Sequence, residues 1–350
     1  MLHSFTPRLL AALLVIMAAC GRQSETVAPS RSATLVQNAT GTLGLVGDAA
    51  DVTTTTSGGT VLMGGGTDVD AAMRWMVSKS WGGDFLVLRA TGTNAYNSYI
   101  YGLGGANSVE TLLINSRTLA NDPEVEAKIR GAEAVFIAGG DQANYVNFWK
   151  DTRVESALNY LRNTKQVPIG GTSAGCAIQG NYYFSAVVGT ITSSEALANP
   201  YNSKLTLGRN DFLSNPYLAA TITDTHFNNP DRRGRLLTFM ARMSQDDGVL
   251  PQGIGVDEQT AVCTEPNGTG KVFGSGYAFF CRQNGSSYTP ERCLSGSSLD
   301  WYRSRQAVRV YKVPGNSTGS NTFSLSSWGS GSGGSWQYYY ADRGAFGLSY

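Results

Sequence analysis

PIGGTSAGCAIQG, residues 168–180, places one serine between two glycines with a small residue on each side. Gly171-Thr172-Ser173-Ala174-Gly175 fits G-x-S-x-G, in which a strand turns abruptly into a helix and holds the serine at the apex in a strained conformation. The flanking residues are small because the chain folds back on itself there. A chain with 42 Gly also produces this pattern by chance. The segments around it must decide between a nucleophile and a tight turn.

Upstream, the apolar runs 61–63, 84–90 (DFLVLRA), 109–115 (VETLLIN), 134–138 (AVFIA) and 167–169 read as strands. Residues 68–79, 123–130 and 144–162 carry helical spacing, the last as one long amphipathic helix. Continuous apolar strands alternating with helices predict an α/β fold, a mostly parallel sheet with helices on both faces and a nucleophile elbow at 171–175. Ligands of such sheets collect at the carboxyl ends of the strands. Three Gly-rich turns, 64–66, 139–142 and 170–175, fall at such ends and line one crevice. The turn at 64–66 lacks both the G-x-G-x-x-G spacing and the lysine of a phosphate loop, so it reads as tight turn geometry.

The first twenty residues, MLHSFTPRLLAALLVIMAAC, have the pattern of a secretory signal peptide: Arg8, an apolar run at 9–17, then Ala18-Ala19 before Cys20. Residues 17–20 resemble a bacterial lipobox, which makes Cys20 the candidate lipidation site and the only membrane attachment. The expectation is an exported protein, held at the outer membrane or cell surface or secreted. Residues 21–58, rich in Ser, Thr, Ala and Gly, read as a flexible tether, and 59–315 as a single α/β domain. Residues 316–350, Ser/Gly-rich and then aromatic, read as a tail that is either flexible or a final hairpin, with an aromatic polymer-binding patch as a lesser alternative.

Only 15% of the residues are charged. Without Arg8, the 27 basic residues fall to 26, against 26 acidic ones. That balance offers no field for nucleic acid. After export, Cys281 and Cys293, which flank a polar loop, form the preferred disulfide. Cys176 reads as a small buried side chain. No C-x-x-C spacing suggests zinc, and neither metal nor cofactor is expected.

A serine nucleophile usually works through histidine. The chain has 2 His, and His3 lies in the leader, so His226 is the one candidate base. It follows an apolar run at 219–223, again a carboxyl-end position on the same side of the sheet as Ser173. Histidine is late in the chain of α/β-hydrolases, with the acid before it. Here no histidine follows 226, so if histidine comes second the acid lies further on, and GIGVDEQTA (253–261) supplies Asp257 and Glu258.

These pieces together resemble the cyanophycinases, serine peptidases grouped with aspartyl dipeptidases on the class I glutamine-amidotransferase fold, which is flavodoxin-like. The matching segments are GGGTD (64–68), AGGDQ (138–142), GGTSAG (170–175), DTHF with RRGRL (224–227, 232–236) and GIGVDEQTA (253–261), in family order over roughly residues 60–280. The resemblance implies Ser173 as nucleophile, His226 as base and Glu258 as third member. It implies an oxyanion hole from the N–H groups of Ala174 and Gly140, and a substrate cleft lined by Gln142, Asp224, Thr225, Arg232 and Arg235. The implied substrate is cyanophycin, polyaspartate with arginine on each β-carboxyl, cut to β-aspartyl-arginine. Asp224 would meet guanidinium groups, and Arg232 and Arg235 the carboxylates. Thr225, Pro230 and Cys176 stand where members usually have Gln, Arg, and Ala or Ser. An exported aspartyl dipeptidase and a non-catalytic peptide- or polymer-binding lipoprotein are the alternatives. Aspartyl peptides would be the partners of the first, and a homodimer is compatible with all three.

Overall fold

The apolar runs around the elbow pair as five parallel strands at the heart of a ten-stranded sheet, in the order Ser108–Leu113, Asp84–Arg89, Ala134–Ile137, Pro168–Thr172, Gly59–Met63. The structure is a computed structural model that describes residues 40–350. Alternation along Asp84–Arg89 sends Phe85 and Val87 to one face, where Met73 and Met76 of helix Asp70–Lys79 and Ile100 of helix Ala95–Gly102 cover them. Leu86 and Leu88 point to the other face, against Val125 and Ile129 of Pro123–Gly131 and Trp149 of Gln142–Trp149. Helices on both faces, as expected, follow from strands that are apolar on both sides.

Local chemistry sets the helix ends. Asp122 accepts from the N–H groups of Glu124 and Val125, Pro123 opens the first turn, and Lys128 and Arg130 sit in the last. This arrangement matches the orphan donors and the macrodipole. Asp141 caps Gln142–Trp149 in the same way through the N–H of Ala143.

The expected mostly parallel sheet describes these five strands and is corrected beyond them in two respects. Antiparallel strands flank the parallel five: Thr42–Gly47 on one edge, and Thr260–Thr264, Thr269–Gly274, Thr322–Ser324 and Gly331–Ser332 on the other. A second, eight-stranded sheet carries His226. Its Thr221–Asp224 runs parallel to Gln252–Val256 and Tyr182–Phe184, but Tyr277–Gln283, Val308–Pro314, Ser335–Asp342 and Ala345–Ser349 form an antiparallel meander. The two sheets share a core in which Leu62, Val262 and Val272 of the first meet Ile254, Val256, Phe280 and Val313 of the second. The long helix at 144–162 is in fact two, Gln142–Trp149 and Arg153–Tyr160, because Asp151 takes a positive φ of 58° between them.

Within the expected tether, 42–47 is an edge strand whose Leu43 is buried. The expected tail is woven into both sheets, since Phe323, Leu325, Trp328 and Tyr339 have apolar faces that only burial satisfies. The leader and Cys20 lie outside the described residues. Cys281 and Cys293 are not bonded to each other. Like Cys176 and Cys263, they are free and buried, each filling core volume as a small apolar group.

Candidate active site

Ser173 ends the strand Pro168–Thr172 and sits at φ 51°, ψ −117°, with helix Ala174–Ala177 leaving at once. Its N–H donates to Met63 O at 3.0 Å, tying the elbow to the neighbouring strand. A Cβ on Gly175 would lie 2.1 Å from Ile137 O, so the motif's second glycine is a steric requirement. The strain at Ser173 is the cost of exposing its Oγ above the sheet.

His226 follows Thr221–Asp224 and also takes a positive φ, 47°. Its N–H donates to Gly64 O at 2.8 Å, and the N–H of Gln259 donates to Gly65 O at 2.9 Å. A Cβ on Gly65 would fall 2.4 Å from the imidazole ring. The GGG turn at 64–66 is therefore more than turn geometry. It is the wall against which the imidazole rests and the bridge to the segment carrying Glu258.

The three side chains form a hydrogen-bonded row. Ser173 Oγ is 2.8 Å from His226 Nε2, and His226 Nδ1 is 2.6 Å from Glu258 Oε1. With Glu258 ionised, Nδ1 carries the proton and Nε2 is free to accept from the serine hydroxyl. Asp257 points elsewhere: its Oδ2 accepts from Asn228 Nδ2 at 2.7 Å and from the N–H of Tyr277 at 3.0 Å. Burial raises its pKa to about 6. Geometry thus separates two adjacent acids that sequence left open. The Cys176 thiol, fully buried, is pushed well above its ordinary pKa by desolvation and then by Asp224, which suits packing and not nucleophilic attack.

Beside the row lies a cavity of about 270 Å³ that brings together Gly140, Gln142, Ser173, Ala174, Asp224, Thr225, His226, Arg232 and Arg235. All the residues expected in the cleft converge there, but their charges are not distributed as expected. Arg235 and Asp224 form a bidentate pair with side chains 5% and 3% exposed, and Arg235 Nη1 also donates to Thr190 Oγ1 and Ile191 O. Each satisfies the other, so neither is free for substrate charge. Arg232 differs: Nη1 donates to Thr225 O at 3.0 Å, and no carboxylate lies within ion-pair distance of it among the described residues. Burial and then the nearby Arg235 charge lower its pKa. A partly desolvated guanidinium of this kind favours an anion.

Sequence reasoning missed Asp141 and residues 184–190. Asp141 lines the cavity while capping its helix, and Phe184, Ala186, Gly189 and Thr190 form the opposite wall. Val187 and Val188 stand exposed beside that wall, at 44% and 55%. Their apolar run, FSAVVGTI at 184–191, was the only available signal, and it reads as a strand.

The profile of Peptidase family S51 matches residues 95–270, which include Ser173, His226 and Glu258. The chain is 30% identical over 172 residues to a cyanophycinase of Nostoc sp. (strain PCC 7120), covering 49% of this chain and 52% of that one. It is 25% identical over 185 residues to a cyanophycinase of Geminocystis herdmanii, covering 53% and 62%. The chain spans about half the length of the curated relatives it matches. A solved peptidase from an acI-B1 Actinobacterium shares 15% identity over 77% of this chain and 98% of that one, with a TM-score of 0.47. With its elbow, histidine and glutamate all inside the matched segment, the chain belongs to Peptidase family S51.

Proposed function

We propose that this protein is a serine-type peptidase that cleaves amides of aspartyl chains through an acyl-enzyme, with cyanophycin as its substrate. The observation that carries the reading is the hydrogen-bonded row Ser173–His226–Glu258 at the cavity. Ser173 Oγ attacks the carbonyl as His226 Nε2 takes its proton, and Glu258 stabilises the imidazolium. Ala174, first in its helix and without an intrahelical acceptor for its N–H, and Gly140 both border the cavity, and their N–H groups stabilise the oxyanion. His226 then returns the proton to the departing amine, and water releases the acyl group by the reverse path. Arg232 holds a substrate carboxylate.

A second reading, an aspartyl dipeptidase, draws on the Asp224–Arg235 pair. With Asp224 occupied, Asp141 is the acid left in the cavity for a guanidinium, and its Oδ1 already serves the N–H of Ala143. Incubating the full chain and Ser173→Ala with insoluble cyanophycin, and separately with short aspartyl peptides, tests both by the mass of soluble products. Release of β-aspartyl-arginine by the unmodified chain alone supports the first reading. Cleavage of short peptides alone supports the second, and cleavage of neither sinks both. Export and acylation at Cys20 belong to the same proposal. A Cys20→Ser chain found in the membrane fraction as fully as the unmodified one would remove the anchor from it.

A further inference from the structure

The far end of the second sheet holds a second cavity, of about 260 Å³, whose chemistry the peptidase reading does not use. Arg282 pairs across the sheet with Gln252, which in turn pairs with Thr221 at the start of its strand. His226 and Glu258 come after the opposite ends of those same strands. At roughly 3.3 Å per residue, the two sites lie on the order of 15 Å apart along the sheet.

Two observations converge here. First, Arg282 and Arg309 are direct cross-strand partners. Like charges so placed destabilise a sheet, yet among the described residues neither has a carboxylate within ion-pair distance, and Arg282 Nη1 makes one long hydrogen bond, to Ser327 O at 3.4 Å. Second, the Arg309 guanidinium lies over the Trp336 ring at 3.6 Å from its centroid. Stacking fixes the plane of the guanidinium and leaves its edge N–H groups presented as a fork.

We propose that this cavity binds a carboxylate-bearing peptide chain: Arg282 and Arg309 take carboxylates, and Trp328 and Trp336 cover the methylene groups between. Planar forks suit carboxylates, and an acidic peptide presents them at a regular spacing to two adjacent strands. The site stands on its own residues and not on the reading of the nucleophile. If the substrate is a polyaspartyl chain, the same polymer is held at a point remote from the scissile bond, and avidity for long chains over short ones follows.

The test uses the full chain carrying Ser173→Ala and titrates it with an N-acetylated, C-amidated hexa-aspartate by calorimetry at low and moderate salt. Binding is expected, with at least a tenfold loss on Arg309→Gln. Arg309→Lys should give a smaller loss, because it keeps the charge without the fork. A capped hexa-lysine and inorganic phosphate, as competitors, should displace little. Equal affinity in Arg309→Gln overturns the proposal, as does phosphate competing as well as the peptide. Arg282→Gln provides a second variant, and an unchanged thermal midpoint in either shows that the fold is intact. Hydrolysis of a short aspartyl peptide is measured separately in the Ser173 background. A chain that binds hexa-aspartate but hydrolyses nothing keeps this site and loses the proposed function, and the converse separates them the other way.

Discussion

Arg235 grips Asp224 with two hydrogen bonds, Nε to Oδ2 at 2.8 Å and Nη2 to Oδ1 at 2.5 Å, in the lining of the candidate active site. Two residues that resemblance placed on substrate are thereby turned to architecture. The pair also anchors the cavity wall, since the same guanidinium holds Thr190 Oγ1 and Ile191 O. Asp224→Ala or Arg235→Ala leaves a buried charge unpaired and should cost roughly 3–5 kcal/mol of stability. Arg232→Ala should change stability by no more than about 0.5 kcal/mol, while raising KM for a carboxylate-bearing substrate tenfold or more. Chemical denaturation alongside steady-state kinetics checks both. Equal destabilisation by all three variants would contradict the division.

On the proposed mechanism, Ser173→Ala and His226→Ala each lower kcat by at least about 10⁴-fold, and the double variant is scarcely worse than either, because the row acts as a unit. Glu258→Gln loses about 10²–10⁴-fold, whereas Asp257→Asn retains activity within a few-fold. A reversal of the last two would move the third role to Asp257.

Asp257 has its own signature in stability. Burial holds its folded pKa at about 6, above the 3.8 of an ordinary aspartate. Between those values the folded state binds more protons than the unfolded one, so this group's contribution is fully present below pH 3.8 and is lost as pH rises through 6. The loss is at most about 3 kcal/mol. Urea denaturation from pH 4 to 7 should show a downward trend that Asp257→Asn flattens. An unchanged trend in the variant would place the titration elsewhere.

The four buried thiols give a fourth measurement. Burial pushes the Cys293 thiol up to about 12, and raises Cys176, Cys263 and Cys281 well above the ordinary range too. Alkylation under native conditions should leave all four unmodified, and alkylation in denaturant without reductant should modify all four, read by peptide mass. Recovery of a Cys281–Cys293 cross-linked peptide would restore the sequence-based pairing.

Much of the site could be read from sequence because it consists of punctuation. Gly171 and Gly175 mark the elbow, the one histidine beyond His3 marks the candidate base, and parallel strands declare themselves by unbroken apolar runs such as AVFI at 134–137. The second sheet was hidden for a physical reason. Its outer strands are buried on one face, so they alternate, as in SWQYYYAD at 335–342, and alternation inside a Ser/Gly-rich segment looks like a tail. The break at Asp151 carried no glycine or proline to announce it. The Asp224–Arg235 pair was unreadable because charge type says nothing about whether a partner already occupies the group.

The strands at Thr322–Ser324 and Ser335–Asp342 close different sheets. Neither sheet is complete without residues 322–342. Without them the core shared by Leu62 and Phe280 lacks Phe323, Trp328 and their neighbours. A chain lacking those residues leaves this apolar surface uncovered, the state most exposed to proteases and self-association.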